Sequence, residues 1–198
     1  MNHTKTKDQT KAFGEICKAI ANKETYLLAG YAGTGKSFLC KEIAEKYPNV
    51  AFTAPTNKAA KVLSLDMDVP ATTIHTYMGL AFKRGKIEQT KRPEYVHQAV
   101  VIDECSMINA ELYRMITEQI ESHCAVIYIG DPFQLPPVKE SISKTFDTEN
   151  AMELTEIVRQ AAGNPIIAYS MRLRENGFMK SRIPFDDVNI IKSQPLRR

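Results

Sequence analysis

One stretch constrains this chain more than any other: Gly30-Tyr31-Ala32-Gly33-Thr34-Gly35-Lys36-Ser37. The apolar run Thr25-Tyr26-Leu27-Leu28-Ala29 precedes it, and a helix-like run from Phe38 to Tyr47 follows it. A strand, a glycine-rich loop and a helix in that order form a phosphate-binding P-loop. Glycines let such a loop wrap until its N–H groups point inward at phosphate oxygens. The helix N-terminus adds partial positive charge at the same point. Lys36 is placed to reach β- and γ-phosphates, and the Ser37 hydroxyl to ligate Mg²⁺. The expected nucleotide cradle is Gly30, Ala32, Gly33, Thr34, Gly35, Lys36, Ser37 and Phe38.

The rest of the chain supplies further strands and helices in alternation. Apolar positions from Gln9 to Asn22 recur at helical spacing. Val50-Ala51-Phe52-Thr53-Ala54 reads as a buried strand ended by Pro55, and Asn57 to Leu65 as a short helix with Thr56 as its N-cap. Ala99-Val100-Val101-Ile102 and Ala125-Val126-Ile127-Tyr128-Ile129 are two more buried strands, with an amphipathic helix from Asn109 to Ser122 between them. Met152-Glu153-Leu154 reads as a short last strand, and Asn164 to Asn176 as a helix stopped by Gly177. Nearly all-apolar strands between helices predict an α/β fold: a mostly parallel sheet covered on both faces. Functional residues then belong beyond the carboxyl ends of the strands. The P-loop, Thr53 to Thr56, Asp103-Glu104 and Gly130-Asp131 all fall there.

Between Leu80 and His97 the core pattern breaks. Lys83, Arg84, Gly85, Lys86, Lys91, Arg92 and Pro93 interrupt it, which predicts an inserted small β-hairpin. The expected organisation is therefore one ATPase domain from 1–80 and 98–176, an insert at 81–97, and a linker at 177–198.

Composition narrows the class. At 198 residues the chain has room for one substantial core. No apolar run approaches the length of a membrane span, and no membrane partner is expected. Four cysteines without Cys-x-x-Cys spacing argue against structural zinc and a disulfide framework and fit a reducing compartment, so a cytoplasmic setting is expected. The net charge of +3 is too small to imply a nucleic-acid partner by itself.

Two loops carry the remaining chemistry. Asp103-Glu104 ends an apolar strand, the Walker B position of a P-loop protein. There the first acid holds the Mg²⁺ shell and the second orients and deprotonates the attacking water. Gln134, in the loop after the next strand, suits a γ-phosphate sensor, because an amide both donates and accepts.

These motifs stand in a telling order: Gly-x-Ala-Gly-Thr-Gly-Lys-Ser, Ala-Pro-Thr-x-x-Ala-Ala, Thr-Ile-His-Thr, Asp-Glu-x-Ser-Met and Gly-Asp-x-x-Gln-Leu-Pro-Pro-Val. The series resembles superfamily 1 DNA helicases of the RecD/Dda-like branch, which move 5′ to 3′, and continues into Glu153-Leu154-Thr155-x-x-x-Arg159. The resemblance implies a RecA-like motor domain that uses ATP and Mg²⁺. It implies Lys36, Glu104, Gln134 and Arg159 as catalytic residues, Ser37 and Asp103 at the metal, and Gln9 reading the adenine edge. It lays single-stranded DNA across Thr53, Pro55, Thr56, Asn57, Lys58, Thr73 and His75. His75 either stacks on a base, donates to a phosphate, or simply packs. The insert matches a wedge hairpin at fork DNA, with Phe82 or Ile87 as its apolar tip.

Such helicases close ATP between two RecA-like domains, and the motifs of only the first are present. The expectation is weak nucleotide binding, very slow hydrolysis and no unwinding by the chain alone. A second RecA-like domain is expected as partner, with a single-strand-binding or replication protein as a further candidate. A small P-loop kinase or regulatory ATPase is the alternative, and a non-catalytic strand-binding module a third reading.

Overall fold

The computed structural model describes residues 5–83, 86–91, 96–156 and 158. The chain divides into two units, Met1–Glu156 and Ile157–Arg198. The architecture below is that of the first. Arg159, the expected helix at 164–176 and the expected linker at 177–198 lie outside the described residues.

The N-terminal helix α1 (Lys7–Asn22) starts at a capping box. The Thr6 side chain accepts from the Gln9 backbone and the Gln9 side chain accepts from the Thr6 backbone. Strand β1 (Thr25–Gly30) leads into the glycine-rich loop and α2 (Lys36–Lys46), and β2 (Val50–Ala54) into α3 (Asn57–Met67). The chain then makes β3 (Ala71–Thr73), the single turn α4 (Ile74–Tyr77), and the strands β4 (Leu80–Lys83) and β5 (Lys86–Gln89). Strand β6 (Ala99–Ile102), a 3₁₀ turn at Cys105–Met107, α5 (Ala110–Gln119), β7 (Ala125–Gly130), a second 3₁₀ turn at Lys144–Asp147 and β8 (Ala151–Leu154) complete the unit.

Six strands form one parallel sheet in the order β3-β2-β6-β7-β1-β8. Successive side chains on a strand face opposite sides, and two apolar layers follow from that alternation. Leu28, Phe52, Val101 and Ile127 pack with Ile16, Leu39, Ile43 and Leu63 from α1, α2 and α3. Leu27, Val100, Ile102 and Val126 pack with Ile74, Met78, Leu112 and Ile116 on the other side. The α/β sheet covered on both faces, expected from the apolar strands, is the sheet observed.

The insert is the expected antiparallel hairpin, with Phe82 opposite Ile87 and Lys83 opposite Lys86. It closes on Gly79, whose carbonyl accepts from Thr90 N at 2.7 Å and Lys91 N at 3.2 Å. Gly79 sits at φ +67°, and a Cβ there would meet the Lys91 carbonyl oxygen at 2.4 Å.

Candidate nucleotide site and nucleic-acid face

Because every strand of the main sheet runs the same way, the loops that follow them share one edge. The strand order then fixes who neighbours whom. The P-loop leaves β1, Gly130 to Gln134 leave β7, Asp103-Glu104 leave β6, and the segments after β2 and β3 occupy the far flank.

The P-loop is built on close contacts that only glycine permits at its first position. A Cβ on Gly30 would lie 2.8 Å from Thr34 Oγ1 and 3.1 Å from Leu154 Cβ on β8. Gly33 and Gly35 adopt φ of 83° and 89°, the left-handed region that glycine reaches without penalty. Thr34 is fully buried, and its Oγ1 donates to Tyr31 O at 2.8 Å. Among the described α-helices, α1, α3, α4 and α5 receive side-chain caps from Thr6, Thr56, Thr73 and Asn109. Helix α2 has no side-chain cap: Gly35 stands at its N-cap and no acid lies in its first turn. Its leading N–H groups are thus left for an anion.

Lys36 folds back over this loop. Its Nζ donates to Gly30 O at 2.7 Å and Tyr31 O at 3.0 Å. Burial pushes the ammonium below its ordinary value, and the charges of Asp131, Asp103 and Glu104 oppose that shift. Burial raises Asp103 above the ordinary carboxylate range, against the Glu104 N–H and Lys36. Burial and then the neighbouring Asp103 charge raise Glu104, again against Lys36. Glu104 holds a left-handed backbone, φ 54°, uncommon for a residue with a Cβ and frequent at working sites.

Ser37, Asp103, Glu104 and Gln134 line one cleft of about 440 Å³, together with Thr56 and Lys58 from the start of α3. Its walls also carry Val62, Leu63, Met107 and Leu135. Among the described residues no cluster of three or more His, Cys, Asp or Glu side chains could cage a metal ion. One hydroxyl and one carboxylate facing a phosphate site suit Mg²⁺, which keeps waters and takes phosphate oxygens rather than an all-protein shell. Ser37 and Asp103 fit that ion.

Gln9 is buried beside the loop, where its Nε2 donates to Thr34 O at 2.9 Å and its Oε1 accepts from Thr6 N at 3.1 Å. Both ends of the amide are engaged, so reading an adenine edge requires exchanging one of these bonds. Ala32 is exposed, and Phe38 packs half-buried against the α1–α2 core.

The expected nucleic-acid face divides in two. Pro55 and Thr73 are half-buried, and Asn57 and Lys58 are exposed, around the N-terminus of α3 and the end of β3. Thr56 Oγ1 caps α3 through Ala59 N at 3.2 Å. Thr53 does not belong to this face. It is fully buried and its Oγ1 donates to Val101 O at 2.9 Å, inside the sheet. His75 is half-buried, and burial lowers its pKa, which favours the neutral ring near pH 7. Ile87 is not a free wedge tip, because it packs against the core layer that holds Leu80 and Met78. The side chain of Phe82 and the intervening Arg84 and Gly85 lie outside the described residues.

One residue was located at the working edge by the sequence but given no role there. Asp131 is fully buried at the end of β7, accepts from Phe133 N at 2.9 Å through Oδ1, and acts electrostatically on Lys36 and Glu104. Its signal was the Gly-Asp pair closing an apolar strand.

Comparison with known proteins agrees with this geometry. A family model described as AAA domain matches residues 4–187. The chain is 33% identical over 187 residues to the ATP-dependent DNA helicase dda of Enterobacteria phage T4, covering 85% of this chain and 42% of that protein. It is 31% identical over 161 residues to the ATP-dependent RecD2 DNA helicase of Deinococcus radiodurans, covering 77% of this chain and 22% of that protein. The crystal structure of Bacteroides Pif1 bound to ssDNA superposes with a TM-score of 0.70 at 22% identity, over 100% of this chain and 51% of that one. That likeness establishes the RecA-like fold seen in the sheet. The chain thus spans less than half the length of these two curated relatives.

Proposed function

This chain belongs to the AAA domain family, and we propose that it is the ATP-binding N-terminal motor domain of a 5′-to-3′ DNA helicase. One observation carries the reading: Ser37, Asp103, Glu104 and Gln134 share a cleft beside a P-loop whose helix has no side-chain cap. The relatives named as ATP-dependent DNA helicases support the same reading.

In the proposed reaction the phosphates of ATP seat on the open first turn of α2. Lys36 leaves the Gly30 and Tyr31 carbonyls and turns its Nζ to the β- and γ-phosphates. Ser37 and Asp103 would hold the magnesium ion, which when bound neutralises charge on the phosphate oxygens. Water attacks the γ-phosphorus, the bond from it to the β–γ bridging oxygen breaks, and Glu104 takes the water proton. The raised pKa of Glu104 brings it closer to the working pH, as a general base requires. Gln134 senses the γ-phosphate, and Arg159 completes the charge at the same group.

Single-stranded DNA, and a fork ahead of it, would lie over Pro55, Thr56, Asn57, Lys58, Thr73 and His75. Short hydroxyl side chains and helix N-termini there hold phosphates without reading bases. A second RecA-like domain closes the cleft from the other side, and a single-strand-binding or replication protein is a further partner. All four cysteines are free thiols, which suits a reducing cytoplasm.

The test is binding of a fluorescent ATP analogue with and without oligo-dT, followed by turnover on the same sample. Saturable binding with very slow turnover and no unwinding is expected of the chain alone. Brisk DNA-stimulated turnover would show that it completes its own site. Phosphorylation of a small acceptor would replace the helicase reading with a kinase.

A further inference from the structure

Among the described residues two buried hydroxyls lack a hydrogen-bond partner: Tyr128 Oη, which does not line the cleft, and Ser106 Oγ, which does. Thr34 donates to Tyr31 O, Thr53 to Val101 O, Ser143 to Ile108 O and Thr145 to Cys105 O. Ser106 is 2% exposed, and its Oγ has no hydrogen-bond partner among the described residues. A buried hydroxyl left unpaired is unfavourable, and native proteins rarely keep one without a use.

Its location suggests what it waits for. Ser106 stands two residues after Glu104 on the 3₁₀ turn and lines the cleft that Gln134 also lines. That turn is pressed against the strand end from which the Gln134 loop departs. A Cβ on Gly130 would meet Cys105 Sγ at 2.6 Å and Ser106 N at 3.3 Å. The Gln134 backbone is held by its N–H donating to Asp131 O at 3.1 Å, while the residue itself is exposed at the rim.

The chemistry of an amide completes the case. A γ-phosphate only accepts, so an amide that senses it must present its NH₂ end. The Oε1 end then needs a donor, and Ser106 carries an unused O–H within the same cleft. We propose that Ser106 is a positioning residue: with a γ-phosphate present its hydroxyl donates to Gln134 Oε1, which orients Nε2–H toward a γ-phosphate oxygen. A nucleoside diphosphate lacks that acceptor, so the chain of two bonds forms only with the triphosphate. The proposal rests on the nucleotide-site reading given above.

The test compares MgATPγS and MgADP affinities of the 198-residue chain and of Ser106→Ala, Gln134→Ala and the double variant, with melting temperatures measured without nucleotide. Ser106→Ala is expected to reduce the preference for ATPγS over ADP by roughly 5- to 10-fold, the worth of about one hydrogen bond. Gln134→Ala should do the same, and the double variant should lose no more than either. The nucleotide-free melting temperature of Ser106→Ala should hold or rise, since an unpaired hydroxyl has been removed. An equal loss of ATPγS and ADP affinity, a fall in that melting temperature, or the same Ser106→Ala effect in the Gln134→Ala background would each overturn the proposal. Failure of the wild-type chain to bind either nucleotide would instead refute the nucleotide site itself, and this proposal with it.

Discussion

At the scale of single residues, the site is a balance between burial and charge. Burial and the Asp103 charge raise Glu104 above the ordinary carboxylate range, its backbone is left-handed, and in the proposed reaction its carboxylate is the base. Glu104→Gln keeps the shape and removes the base. Turnover in the presence of any completing domain should fall by about 10²- to 10⁴-fold, with nucleotide affinity little changed. A steady-state assay beside an affinity titration checks this. The acid pair, Lys36 and Ser37 were legible in the sequence because local motifs dictate them. Thr53 was misread because it lies on a strand paired on both sides, to β3 and β6, with its hydroxyl satisfied by Val101 O, far away along the chain. Gln9 shows the same limit from the other side. Its place beside the P-loop was expected, but the capping box that engages its Oε1 belongs to the start of α1 and only the folded helix displays it.

At the scale of elements, the hairpin is tied to the body through Gly79 and packs onto one core layer through Ile87. Gly79→Ala places a Cβ against the Lys91 carbonyl in a backbone region that alanine resists. A stability loss of about 1–3 kcal/mol is expected, with nucleotide affinity unchanged, because the P-loop's supports lie elsewhere in the sheet. Denaturant titration and nucleotide binding on one preparation separate the two effects. The long apolar strands and amphipathic helices were readable from periodicity. The pair β3 and α4 was not, since Ala71–Thr73 offers no apolar alternation and Ile74–Tyr77 is a single turn. Their existence rests on pairing with β2 and on the burial of Ile74 and Met78 against the sheet.

At the scale of the whole unit, the parallel sheet puts every working loop on one edge, with β6 between the strand of the proposed DNA grip and that of the sensor loop. Single-strand binding on this edge should be phosphate-driven and salt-sensitive. Lys58→Ala should lower the slope of log affinity against log salt by about 0.7, the share of one phosphate contact on a single strand. Titrations at several salt concentrations measure it, and an unchanged slope would remove Lys58 from the contact. The register of the sheet has one more consequence. Asp103 N–H donates to Thr53 O at 2.9 Å, the last rung joining β6 to β2. A single amide proton therefore stands between the proposed metal-binding acid and the strand that feeds the proposed nucleic-acid loop. Its exchange with deuterated solvent is a clock set by both neighbours: nucleotide on one side and a DNA strand on the other should each slow it, and the two together should slow it more than either alone.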